Sequence, residues 1–303
     1  MMEFTEESWC WQWSEMTNEP LWGTATAEVG VWLALEYRGR WGAQAVAEAE
    51  LPVAVRAHLE RVKGGKLLLI RQPGRQHVEQ IRFYVGIGGE RLYRFDLESY
   101  EGVLGLEWDK ILAGGEAYER YRQVTPLHLV CTNGQRDRCC AQKGTAVYLA
   151  LQQQIATKQQ AGDVWQVTHL GGHRWAATTL CLPAGRMYGR LDVASCEAYW
   201  LAVAAGEIPL AHDRGLTGWP AAAQVAEWHV REALGETREG GWQVEEIDGD
   251  ETVYQVKLKH VMAGKSYRAT VRLVKMVERY MSCQKLKTKV APLYQFEGYK
   301  EVS

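Results

Sequence analysis

The chain has 303 residues, 47% of them hydrophobic and 24% charged, with a formal net charge of −2 at pH 7. This is the composition of a folded globular chain long enough to bury a substantial core, and the length favours two domains over one. The near-neutral balance gives no overall pull toward nucleic acid or an anionic membrane surface, and no apolar run approaches the roughly 18 residues that span a bilayer. The 13 Trp residues stand against 4 Phe, which reads as bulky core filling with a few rings available to shield a redox centre. The opening stretch, MMEFTEESWCWQWSEM, is acidic and has neither a basic nor an apolar leader segment. No secretory signal is therefore expected, and the expected compartment is the reducing cytoplasm. There, clustering among the 7 Cys points to metal binding or catalysis before disulfides.

In chain order, residues 1–30 read as irregular and VWLALEY (31–37) as a short apolar strand. After Pro52, Val55, Leu59 and Val62 fall on one helix face, and Gly64 and Gly65 stop that helix. KLLLI (66–70) is a buried strand, and IRFYV (81–85) with RLYRFDL (91–97) form a hairpin around Gly88 and Gly89. This predicts a small α/β unit, followed by a mixed connecting stretch over 98–124. PLHLVC (126–131) opens a second unit: a helix from about Cys140 to Ala156, a strand VWQVTHL (164–170), a hairpin from TTLCLP (178–183) and RMYGRLD (186–192), and a helix over 193–206. The order βαβ, hairpin, α is that of a thioredoxin-like fold, with one parallel pair and added antiparallel strands. Finally, Pro220 and Gly235 bracket a helix, and the alternation in TVYQVKLKH and SYRATVRLVK, after WQVEEI, predicts a three-stranded antiparallel meander. The expected class is α/β. An N-terminal α/β domain spans 1–124 and a thioredoxin-like domain 125–208. A C-terminal helix with antiparallel β-strands spans 209–303.

Two short motifs carry the chemistry. Cys131 and Cys140 bracket CTNGQRDRCC, and His169 and His173 bracket HLGGH, a C-x8-C…H-x3-H set. Such a set can hold zinc or an iron–sulfur cluster. Cys131 ends one predicted strand, Cys140 begins the next helix, and His169 ends the neighbouring parallel strand, so the four side chains can converge at one sheet edge. Gly171 and Gly172 disfavour a helix between the imidazoles and permit a tight loop. A helix N-terminus favours Cys140 as a thiolate, with Cys139 as the alternative ligand because vicinal cysteines cannot be separated by pattern. Arg136, Arg138 and Arg174 can offset thiolate and sulfide charge, meet an acidic redox partner, or line a solvated loop, and Asp137 can pair with one of them. Cys10, Cys181, Cys196 and Cys283 read as small buried hydrophobes, and His58, His77, His128, His212, His229 and His260 have no comparable setting.

EPLWGTA (19–25), KLLLIRQPGR (66–75), CTNGQRDRCC (131–140), HLGGH with Ala176, and the helix AAAQVAEWHVREALG (221–235) together resemble the sucrase/ferredoxin-like family. The resemblance implies a thioredoxin-like ferredoxin with a [2Fe–2S] cluster held by two Cys and two His, without the Rieske pattern. By position the ligands are Cys131, Cys140, His169 and His173. It implies an electron carrier with a redox protein as partner, and leaves open whether the chain has a catalytic activity of its own; from the charge balance neither nucleic acid nor membrane is expected as a partner. No carboxylate pair stands out for glycoside chemistry, and no G-x-G-x-x-G fingerprint suggests direct NAD(P)H reduction. Two imidazoles in place of thiolates predict a potential above that of all-thiolate ferredoxins, with proton uptake accompanying the electron. Two other readings remain open at this point. One is a structural zinc module on the same four residues. The other is a thiol oxidoreductase, which would lack the usual C-x-x-C and have only the strained pair Cys139–Cys140.

Overall fold

The structure, a computed structural model, describes residues 8–158, 161–283 and 285–302. The first unit comprises α1 (Cys10–Met16), β1 (Val31–Glu36), α2 (Ala45–Glu48), α3 (Val53–Leu59), β2 (Gly65–Arg71), β3 (Ile81–Ile87), β4 (Arg91–Leu97), α4 (Trp108–Ala113) and α5 (Glu116–Glu119). The second comprises β5 (Leu127–Cys131), α6 (Thr145–Lys158), β6 (Asp163–Val167), β7 (Thr179–Leu182), β8 (Arg186–Tyr188) and α7 (Cys196–Ala204). Then come β9 (Asp213–Leu216), α8 (Ala221–Leu234), β10 (Trp242–Gly249), β11 (Val253–His260), β12 (Lys265–Ser282) and β13 (Lys285–Val302). No helix among the described residues is long and apolar enough to cross a membrane.

Nine strands form one sheet in the order β4-β3-β1-β2-β6-β5-β7-β8-β9. In the second unit β5 is parallel to β6 and antiparallel to β7, and β7 is antiparallel to β8. That is the expected thioredoxin-like arrangement. The first unit repeats it: β1 is parallel to β2 and antiparallel to β3, and β3 is antiparallel to β4. The two meet through equivalent strands, β2 and β6, which run antiparallel with Ile70 opposite Val167. An antiparallel seam between equivalent strands is what a two-fold relation requires, so the sheet is two related units back to back.

Strand alternation explains how both units bury both faces. In β1, Leu33 and Leu35 face α3 in one core while Trp32 and Ala34 face another. In β5, Val130 faces α6 and α7 while Leu127, Leu129 and Cys131 join Trp32 and Ala34. Each unit is therefore covered by its own helices on one face and shares a core with its neighbour on the other. Tyr84 of the first unit crosses that core to donate its hydroxyl to Asp163 at 2.8 Å.

Three expectations change. The stretch 1–30 is not wholly irregular. It contains α1, whose short WCWQWSEM sequence has no helical period and is held by packing, with Trp13 edge-on to Tyr280 at 5.2 Å. The C-terminal meander has four strands, because β13 pairs along the whole of β12. A further strand, β9, extends the large sheet beyond β8. The helix bracketed by Pro220 and Gly235 forms as expected, Gly235 closing it in the left-handed conformation with φ of 66°. Its apolar face packs Ala226 and Val230 against Val256, Leu258, Ala269 and Val271 of the small sheet.

Arg186 ties these parts together. Its guanidinium meets Asp213 at 2.9 Å, Glu227 at 2.7 Å and Glu239 at 3.0 Å, so one buried cation joins β8, β9, α8 and the loop after it.

Candidate metal centre

The two cysteines are brought together by backbone contact. β5 ends at Cys131, and the loop turns into a helix beginning at Arg138, with a wider π turn over Cys140–Gly144. Asp137 sits just ahead of it and accepts the Cys139 N–H at 2.9 Å, as an N-capping side chain does. Gly144 lets the helix press on the strand end, since a Cβ there would lie 2.0 Å from the Cys131 carbonyl oxygen. An alanine in a helix ordinarily adds stability. Here Gly144→Ala must push the helix off β5, and we expect a loss of roughly 1–3 kcal/mol together with lower metal retention. Thermal melting and a metal count check both, and a variant as stable as the parent would contradict the contact.

All four expected ligands lie at this sheet edge. The Cys131 and Cys140 sulfurs are 3.4 Å apart, Cys140 Sγ is 3.5 Å from His173 Nδ1, and the rings of His169 and His173 stack at 4.8 Å between centroids with 24° between planes. Gly171 and Gly172, with φ of 87° and 78°, make the tight loop between the imidazoles. Both cysteines are 1% exposed, whereas both histidines are half-buried. His169 Nδ1 is buried with no hydrogen-bond partner, which is costly unless another group takes it up. Cys140 hydrogen bonding pulls the Cys131 thiol well below its usual range against burial, with help from His169. The same contact and burial push Cys140 up. Burial also lowers His173.

Cys139 turns the other way, with its sulfur 3.3 Å from that of Cys10 and 2.8 Å from that of Cys283. Among the described residues, the group of three or more potential ligand atoms lying within 4.8 Å of one another is Cys10, Asp137, Cys139 and Cys283. The Cys131, Cys140, His169 and His173 atoms form no such group, although Cys140 Sγ lies 3.5 Å from His173 Nδ1. A single tetrahedral ion would gather its ligands about one point. The set, with a buried nitrogen lacking a partner, has the donor types that a two-iron group takes.

Arg174 is buried and Arg138 half-buried. Arg174 pairs with Glu19 at 2.7 Å and lies 3.5 Å over Trp175, and Arg138 lies 4.7 Å over Trp9. Nor is Asp137 spent on a neighbouring arginine: its second oxygen accepts Ser282 Oγ at 2.7 Å and the Cys283 N–H at 3.0 Å. Sequence reasoning missed Arg214, on the unforeseen strand β9. It donates to the Gly171 carbonyl at 3.1 Å and to the Thr24 carbonyl at 2.6 Å, bracing the histidine loop against the EPLWGTA segment. Burial lowers its pKa to about 9. At the equivalent end of β1 stands Glu36, paired with Arg75 at 3.3 Å, so the Cys/His set has no counterpart in the first unit.

A family model described as sucrase/ferredoxin-like matches residues 28–202. No curated protein matches the chain. Among solved structures, similarity is found to a cysteine-to-serine variant of the thioredoxin-like [2Fe–2S] ferredoxin from Aquifex aeolicus, at 16% identity and a TM-score of 0.27, over 29% of this chain and 96% of that one. Another structure of the Aquifex aeolicus thioredoxin-like [2Fe–2S] ferredoxin matches at 15% identity and a TM-score of 0.27, over 29% of this chain and 89% of that one.

Proposed function

The chain belongs to the sucrase/ferredoxin-like family, and we propose that it is an electron-transfer protein carrying a [2Fe–2S] cluster on Cys131, Cys140, His169 and His173. One observation carries the reading: a buried sulfur pair lies beside a stacked imidazole pair in which His169 Nδ1 has no partner. When bound, the cluster supplies a one-electron couple. The cysteines furnish thiolates on the dry side, the Cys131 sulfur also lying 3.8 Å from the Thr168 carbonyl oxygen. The histidines furnish neutral rings on the wetter side, and their adjacency favours both on one iron. With His173 Nδ1 turned to Cys140, its Nε2 is the atom that can exchange a proton with solvent.

The histidine side is also where a partner would approach. A cavity of about 410 Å³ beside His169 carries Arg56, Lys66 and Arg136 against one acid, Glu60. That balance suits an acidic redox protein.

Replacing an imidazole by a thiolate adds negative charge, so His169→Cys and His173→Cys should lower the reduction potential. Protein-film voltammetry reads this, and a potential unchanged in both variants removes the histidines from the ligand set. In the parent, the potential should fall by up to ~59 mV per pH unit where one proton follows the electron. A potential flat from about pH 5 to 10 removes the proton step, since imidazole titration falls in that range.

A further inference from the structure

We propose that Cys10, Cys139, Cys283 and Asp137 form a second metal site, for a structural zinc ion. The three sulfurs form a closed triangle: Cys10 to Cys139 is 3.3 Å, Cys139 to Cys283 is 2.8 Å, and Cys283 to Cys10 is 3.4 Å. An oxygen of Asp137 lies within 4.8 Å of all three. Cys10, Cys139 and Asp137 are fully buried and Cys283 nearly so.

The geometry selects the ligand. A disulfide needs about 2.05 Å between sulfurs and uses only two, which would strand the third thiol in a dry pocket. Sulfurs bound to different irons of a cluster stand farther apart than sulfurs sharing one ion. A tetrahedral zinc with Zn–S of about 2.3 Å spaces its sulfurs by about 3.8 Å, so an ion would spread this triangle by a few tenths of an ångström to about one. Three soft thiolates with one carboxylate, closed to water by Trp9, Trp11, Trp13 and Tyr280, describe a structural site with no open position. Binding is not a redox step. Three thiols give up their protons to solvent as three Zn–S bonds form. The Cys10 N–H donates to Cys283 Sγ at 3.2 Å, which favours the thiolate there.

The fold gives the site a purpose. It joins α1, the start of the helix at Arg138–Cys140 and the residue that follows β12, segments separated by 129 and 144 residues. Seven residues are too few for α1 to hold itself. Because Cys139 adjoins Cys140, an ion here would also fix the neighbouring Cys/His site, although the inference does not depend on what that site holds.

The test is a metal count on protein purified without oxygen, beside zinc-edge X-ray absorption. We expect about one zinc per chain, with three sulfurs near 2.3 Å and one oxygen near 2.0–2.2 Å. Zinc should fall to background in Cys10→Ser and Cys283→Ser but persist in Cys196→Ser. The absorption measurement uses the parent chain, so poor folding of a variant leaves the test intact. Background zinc in the parent, or full zinc in both C10S and C283S, overturns the site. A zinc shell of two sulfurs and two nitrogens overturns it too, and sinks the [2Fe–2S] reading as well. A three-sulfur zinc without iron sinks only the latter.

Discussion

Cys131→Ala and Cys140→Ala should each strip the protein of iron, from about two atoms per chain to near background, and abolish its visible absorption. Cys181→Ala and Cys196→Ala should keep both. The expectation rests on the absence of a substitute. Cys131 and Cys140 are 3.4 Å apart and 1% exposed. The nearest other thiol in sequence, Cys139, faces Cys10 and Cys283 instead, so it can reach the vacated position only if the helical turn capped by Asp137 unwinds. Cys181 and Cys196 are buried thiols in the core between the second unit's sheet and its helices. The Cys196 thiol donates to the Asp192 carbonyl at 3.0 Å. Neither touches the Cys/His set. An iron assay with a spectrum of anaerobically purified protein decides it, and colour retained in Cys131→Ala would remove that residue from the site.

Arg186→Met should be the most damaging single change to stability, costing roughly 3–5 kcal/mol because it leaves buried carboxylates without their cation. Arg186, Asp213 and Glu227 are 1–2% exposed, and only Arg231, at 2.8 Å from Glu227, would remain to offset them. Pairing Arg186→Met with Glu227→Gln should recover part of the loss. The pH dependence has two arms. Burial raises the Asp213 carboxyl to about 6 against the pull of Arg186. Asp213 thus holds its proton more tightly when folded, and its contribution to stability grows as pH falls through about 6. Burial pushes Glu227 up, but Arg186 and Arg231 outweigh it and hold it below the usual range. Its contribution is present above its ordinary pKa and is lost as pH falls through the depressed value. Stability from this hub should therefore rise as pH falls through about 6 and turn over only below the ordinary pKa of Glu227, and in Arg186→Met the acid arm should weaken. Chemical unfolding across pH measures both, and an unshifted midpoint at pH 7 would contradict the hub.

The Cys/His edge was legible because its parts are local. Apolar runs end at Cys131 and near His169, and Gly171–Gly172 forces the turn that stacks the rings. The Pro220–Gly235 helix was legible for the same reason. The duplication was half-legible: the element order of the first unit hints at a thioredoxin-like half, but the seam between β2 and β6 is a two-residue pairing with no sequence signature. Cys10 and Cys283 read as lone packing residues because 273 positions separate them. Adjacent residues on a helix project about 100° apart, and with the helix beginning at Arg138 that turns Cys139 away from Cys140 and toward Cys10 and Cys283. Arg214 was missed because DRGL, with one apolar residue, does not announce a strand.

Low-temperature EPR of the chemically reduced protein, with isotopically labelled histidine, tests the Cys/His assignment most directly. The expected result is a single spin-half signal coupled to two histidine nitrogens, which His169→Cys and His173→Cys each reduce to one. A reduced protein without a signal, or a signal with no histidine coupling, would contradict it.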